Sequence, residues 1–200
     1  MTYCVGLLLD QGLVLASDSR TNAGVDYISS YSKLHVFQPA SDRIFVLLAA
    51  GSLATTREVI DRINRDLDQA INPRPGPYPD TPGATLANVN YLFEAVTYIG
   101  QVSLAVQQEH GPALSRSGVS AEAVFILGGQ IAGGPHGLYL IYPQGNAIAA
   151  TPETPYLQIG ESKFGKPVLD RIAHPGLSLD DGARVCLVSL DGTARSNLTV

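Results

Sequence analysis

Hydrophobic and polar positions change period several times along this chain, and the changes mark its elements. Residues 2–9 are apolar and β-branched, and Asp10-Gln11-Gly12 supplies turn chemistry, so a strand is predicted there. A second strand over 13–19 completes a hairpin. Residues 20–32 contain Asn22-Ala23-Gly24 and many hydroxyls, which predicts a long ordered loop. Segments 33–38 and 43–50 predict another strand pair around the turn at 39–42. Gly51 closes it.

After Ser52 the spacing becomes helical, with apolar residues at Leu53, Val59, Ile60, Ile63, Leu67 and Ile71. Residues 72–83 hold five prolines and predict a surface loop. A second helix fits Leu86, Val89, Leu92, Phe93, Val96 and Ile99. The pair is expected to pack antiparallel on one sheet. Strands are predicted at 121–130, 137–142 and 147–150, separated by turns at 132–135 and 143–146. Phe164, Val168, Leu169 and Ile172 mark a third helix. Ser178 is an N-cap for a fourth, with Asp180 and Asp181 in its first turn. Its buried stripe is expected from Leu179, Ala183, Cys186, Leu187 and Leu190. Strands, two helices, strands, two helices: the fold class is α+β, a four-layer αββα sandwich forming a single domain over 1–200. Residues 197–200 read as the start of a strand, so a further C-terminal segment is expected.

Composition narrows the function. Hydrophobic residues make up 45% and charged residues 16% of the 200 positions, the profile of a folded chain. A net charge of −5 with scattered basic residues argues against a nucleic-acid surface. No stretch approaches the ~20 apolar residues of a membrane span. The N-terminus has no basic segment followed by an apolar run and a cleavage site, so a cytoplasmic location is expected. Cys4 and Cys186 sit in apolar segments far apart and are expected as buried reduced thiols. His35, His110, His136 and His174 lack ligand spacing. Solvated or structural roles are expected for them, with no metal and no cofactor.

Position 2 carries the candidate chemistry. A threonine hydroxyl is a weak nucleophile, and the chain's own α-amine is one base able to activate it. That amine has an ordinary pKa of about 7.7–8.0, and only an N-terminal residue owns it. Removal of Met1 would place it on Thr2. Asp18 lies at the end of the second strand and Lys33 at the start of the third. An acid and a base at neighbouring strand ends can pair and bring a cation near Thr2, or form a purely structural ion pair. Gly51 can offer an unobstructed backbone N–H to an oxyanion, or simply make a turn.

Taken together, Thr2, Gly6, Gly12-Leu13-Val14, Ser17-Asp18-Ser19-Arg20-Thr21, Lys33-Leu34-His35 and Ala49-Ala50-Gly51 resemble a proteasome β subunit in order and spacing. The resemblance continues through Ile126-Leu127-Gly128-Gly129 and residues 139–146, 155–160 and 191–197. The blocks around Met1-Thr2-Tyr3, residues 17–26 and residues 156–167 resemble the bacterial Anbu (ancestral beta subunit) family. That resemblance implies a threonine-type peptide or amide hydrolase of the N-terminal-nucleophile superfamily. Thr2 would be the nucleophile, Lys33 its activator, Asp18 the residue that positions Lys33, and Gly51 N–H the oxyanion donor. Asp191 and Ser196 match positions around the N-terminus more loosely. Thr21, Tyr31, His35, Ala49 and Leu53 would line the pocket for the residue before the cut, with Arg57 deeper. The resemblance also implies self-association into rings or open helical stacks. One departure stands out: Glu161 follows Gly160 where proteasome subunits usually carry serine. The competing reading is an assembly scaffold or binding subunit with little peptidase activity.

Overall fold

The computed structural model describes residues 2–22, 28–73 and 83–197. In chain order the strands are β1 (Tyr3–Leu9), β2 (Gly12–Ser17), β3 (Arg20–Asn22), β4 (Ile28–Ser30), β5 (Leu34–Ala40) and β6 (Arg43–Gly51). Helices α1 (Leu53–Ile71) and α2 (Leu92–Arg116) come next. Then come β7 (Ala123–Ile131), β8 (Gly137–Ile141), β9 (Ala147–Ala149), β10 (Tyr156–Gly160), α3 (Lys166–Ile172) and α4 (Leu179–Ser196).

All sheet pairings are antiparallel. One sheet runs β10-β1-β2 and another β5-β6-β7-β8-β9, with β3-β4 as a separate ribbon. β1 reads as an unbroken apolar run because both its faces are covered. Tyr3, Val5, Leu7 and Leu9 meet Leu169, Val185 and Cys186 of α3 and α4. Cys4 and Leu8 on the opposite face join Leu48, Ala50, Ile126 and Leu138 of the other sheet. β6 behaves alike: Phe45, Leu47 and Ala49 pack under α1 and α2 with Val59, Ile63 and Ile99. Two helix layers thus enclose two sheets, the αββα sandwich expected from the element order. Both cysteines are free and buried.

Several boundaries differ from the sequence expectation. The second helix begins at Leu92 rather than near Leu86. The Asn88 side chain accepts from Thr85 N at 2.7 Å and holds the preceding segment in a turn. Glu94 then accepts from Asn90 N and Tyr91 N at 2.8 and 3.1 Å and starts the helix. Leu86 and Val89 are buried from that turn, not from a helix. The helix continues to Arg116, through Pro112. Strand β10 had no periodic signature of its own. Part of the expected loop at 20–32 is the β3-β4 ribbon.

The stripe expected on α4 is also corrected. Leu187 and Leu179 are 63% and 40% exposed, and the buried face is Gly182, Val185, Cys186, Ser189 and Thr193. Small residues let this helix approach β1 and β2 closely: a Cβ on Gly182 would lie 2.7 Å from Leu9. Ser178 caps the helix as expected, accepting from Asp181 N at 3.1 Å. Most of the proline-rich loop at 72–83, and residues 198–200 of the expected strand start, lie outside the described residues, while Asn197 caps the end of α4.

Candidate active site

At one end of the sandwich, the N-terminal end of β1 lies near the ends of β2, β5 and β6. A cavity of about 80 Å³ opens there, lined by Thr2, Tyr31, Lys33, His35, Ala49, Gly51, Leu53 and Arg57. Ser32, Ala50 and Thr56 complete the lining. Sequence reading missed those three. Thr56 was accessible to a helical-face argument, since positions 53, 56 and 57 share one face of α1.

Lys33 and Asp18 form a direct ion pair. Lys33 Nζ donates to Asp18 Oδ2 at 2.6 Å, and the two side chains are 7% and 10% exposed. The ammonium also donates to the Arg20 carbonyl at 2.5 Å. Asp18 is fixed by the backbone around it. Tyr3 N donates to Oδ1 at 2.9 Å and Arg20 N donates to Oδ2 at 3.1 Å, while Asp18 N returns a bond to Tyr3 O at 3.1 Å. The carboxylate therefore registers the first strand, one residue from Thr2, against the lysine that reaches the cavity.

Gly51 makes the corner between β6 and α1. Its φ is +110°, and a Cβ there would lie 2.3 Å from the Glu122 carbonyl, so only glycine fits. Ala49 N donates to Lys33 O at 2.9 Å on the β5 side. Two residues further along the same strand, the Gly51 N–H is aimed to that side again, where β5 has not yet begun. That direction leads into the cavity. Ser52 then caps α1 by accepting from Thr55 N at 3.4 Å.

On its β10 side, Thr2 meets the end of that strand. Gly160, at φ +83°, lies so close that a Cβ would be 1.9 Å from the Thr2 carbonyl. Glu161 N donates to Thr2 O at 2.7 Å. Its carboxylate accepts from Asn197 Nδ2 at 3.0 Å and Lys163 N at 3.3 Å.

Charge is unevenly set around the cavity. Burial, reinforced by Arg57, pushes the His35 imidazole below its ordinary pKa and keeps it neutral near pH 7. Arg57 itself is 65% exposed and pairs with Asp61 at 3.3 Å. Burial first, and then the Asp18 charge, raises the Cys4 thiol to about 12, so this neighbour of Thr2 stays protonated.

Three expected residues fall elsewhere or outside view. Asp191 lies on the exposed side of α4, paired with Arg195 at 2.8 Å. It borders a separate groove of about 420 Å³ with Ser17, Asp18, Ser19 and Arg20. Ser196 is the exposed last residue of α4 and does not line the cavity around Thr2. Thr21 belongs to β3, and its side chain lies outside the described residues. Away from the site, Glu58, Glu109 and His110 approach one another, but Arg62 binds both carboxylates at 2.5 Å.

A helix-flanked double-sheet sandwich with a threonine just ahead of its first strand defines a proteasome β-subunit-like domain. Solved structures carry the assignment further. Anbu (ancestral beta-subunit) from Yersinia bercovieri is 43% identical, with a TM-score of 0.85 over 100% of this chain and 78% of that one. The structure titled "Helical Assembly of the Anbu Complex from Pseudomonas aeruginosa" is 44% identical, with a TM-score of 0.88 over 100% and 77%. An Anbu (Gly-1) mutant from Hyphomicrobium sp. strain MC1 is 40% identical, with a TM-score of 0.86 over 100% and 78%. No family profile matches, and no curated protein matches. The chain belongs to the Anbu family.

Proposed function

We propose that this protein is an N-terminal threonine hydrolase that cleaves peptide or related amide bonds once Met1 is removed. The observation that carries this reading is the convergence of Thr2, the buried Lys33–Asp18 pair and the Gly51 corner on one cavity. The Thr2 α-amine takes the proton from Oγ as Oγ attacks the substrate carbonyl carbon. Lys33 favours the neutral amine and stabilises the developing alkoxide. The Gly51 N–H donates to the oxyanion of the tetrahedral intermediate. That intermediate collapses to a threonyl ester as the C–N bond breaks, and the leaving nitrogen takes its proton from the α-ammonium. Water, deprotonated by the same amine, then releases the acid and restores Thr2.

Ala49 and Leu53 give the cavity an apolar floor and rim. An apolar residue before the cut is therefore preferred, its burial worth about 1.5–3 kcal/mol when complete. No acid lines the cavity among the described residues, which disfavours a basic one. Thr21 contributes to this pocket, and Asp191 and Ser196, outside its lining, act through the frame around the N-terminus. Self-association is part of the proposal: a Pseudomonas relative is titled a helical assembly, and α4 here exposes Leu187 and Val188 at 63% and 55%.

The test compares fluorogenic peptides differing at the residue before the cut, assayed on Met1-free protein, Met1-retaining protein and Thr2→Ala. Turnover of the leucine or tyrosine peptide by the Met1-free form alone supports the reading. Equal turnover by Thr2→Ala refutes the nucleophile, and preference for acidic or basic residues refutes the pocket. No helix among the described residues is long and apolar enough to cross a membrane. We place the reaction in the cytoplasm.

A further inference from the structure

The pairing of β1 with β10 determines what the Thr2 nitrogen faces. Along β1, odd positions turn their backbone groups toward β2, as the exchange between Tyr3 and Asp18 demonstrates. Even positions face β10. Leu8 N donates to Pro155 O at 2.7 Å, and Thr2 O accepts from Glu161 N at 2.7 Å. In an extended residue the nitrogen and the carbonyl oxygen point to the same side. Were Thr2 to continue the alternation of β1, its nitrogen would be directed at the segment that begins with Glu161, whose N–H already bonds the Thr2 carbonyl. The Glu161 side chain is half-buried and tied down at both ends, by Asn197 from α4 and by Lys163 N from its own loop. A carboxylate has about four lone-pair sites, so these two bonds leave acceptor capacity over.

We propose that Glu161 is a positioning residue that receives the α-ammonium of Thr2 and anchors the mature N-terminus against the end of β10. This rests on the removal of Met1 proposed above. The carboxylate opposes Lys33: the lysine favours the neutral amine, whereas Glu161 favours the ammonium. Together they set the pH at which the base becomes available. Several other charges around this end of the sandwich have partners of their own. Asp18 is bound to Lys33, and Arg57 to Asp61. On α4, Asp191 and Arg195 pair with each other, and the Lys163 ammonium lies over the Phe164 ring 5.5 Å from its centroid. His35 on the cavity wall is neutral near pH 7.

The experiment measures the α-amine directly and does not depend on turnover. Met1-free full-length protein and its Glu161→Gln variant are acylated with limiting N-hydroxysuccinimide ester across pH 5.5–9.5, and modification at Thr2 is quantified by mass spectrometry. Glutamine preserves the shape and the bond from Asn197 while removing the charge. The apparent pKa of the amine should fall by about one unit in Glu161→Gln, the size expected for losing one opposite charge at close range. Equal values in the two proteins, or a rise in the variant, would overturn the anchoring role. Glu161→Asp, which keeps the charge, should restore at least half of the shift, whereas a purely packing role would make it behave like Glu161→Gln. Peptide hydrolysis followed in parallel should show its acid limb moving down with the amine. If neither protein turns over any peptide, the hydrolase reading fails while the measured amine pKa still decides this one.

Discussion

Replacing Lys33 by methionine removes the charge at the centre of the site while keeping most of the side-chain volume. The size of the stability loss can be worked from the geometry of the pair. Lys33 and Asp18 are 7% and 10% exposed and bonded at 2.6 Å, so the substitution strands a nearly buried carboxylate. Breaking such a pair costs about 3–5 kcal/mol in general. Here Asp18 keeps backbone donors from Tyr3 and Arg20, which places the expected loss near the lower end, about 3 kcal/mol. Asp18→Asn is expected to lose about 2 kcal/mol, because the lysine retains the Arg20 carbonyl. The double variant should recover about 2 kcal/mol relative to the sum, since neither charge is then left alone. Urea unfolding of all four proteins at one fixed protein concentration, followed by circular dichroism, measures the cycle. With a slope of 1–3 kcal/mol/M, a loss of about 3 kcal/mol moves the midpoint by roughly 1–3 M. A Lys33→Met loss below about 0.5 kcal/mol, or strict additivity in the double variant, would show that the pair is not the buried bond described.

Two further outcomes are expected. His35 has its pKa lowered in the folded protein, so the unfolded chain binds more protons between that value and about 6.5. Its contribution to stability is full above about pH 6.5 and fades as pH falls through the lower folded value. His35→Gln should therefore flatten the fall of Tm on acidification, and an unchanged slope would contradict this. Tyr98 donates to Asp66, which is 3% exposed, at 2.8 Å and clamps α2 onto α1. Tyr98→Phe leaves that carboxylate to Arg65 alone and should cost about 1–3 kcal/mol in urea unfolding; a loss within error would show that the bond is not needed.

Strands with two covered faces, such as β1 and β6, declared themselves as apolar runs, α1 by its helical apolar spacing and α4 by its capping serine. Those signals are local, so sequence carried them. Apolar spacing alone missed the rest. The start of α2 depends on a Thr85–Asn88 turn that buries Leu86 and Val89 without a helix. The buried face of α4 is made of small residues, because its distance from β1 matters more than its hydrophobicity. Hydrophobic spacing therefore selected Leu179 and Leu187, which are exposed.

At the site, residue types and strand ends made Thr2, Asp18, Lys33 and Gly51 legible, and the structure gathers Thr2, Lys33 and Gly51 around one cavity with Asp18 behind the lysine. The side of Thr2 that Glu161 occupies depends on the β1-β10 register, which periodicity could not supply because β10 carried no such signal.

The central claim is that a free Thr2 attacks a carbonyl with its own amine as base. Intact-protein mass spectrometry of Met1-free protein treated with a leucine-containing peptide epoxyketone tests it most directly, with fragmentation to locate the adduct. One probe mass on Thr2, absent from Thr2→Ala and from protein that retains Met1, is the predicted result. An unmodified protein, or an adduct that persists in Thr2→Ala, would contradict the account.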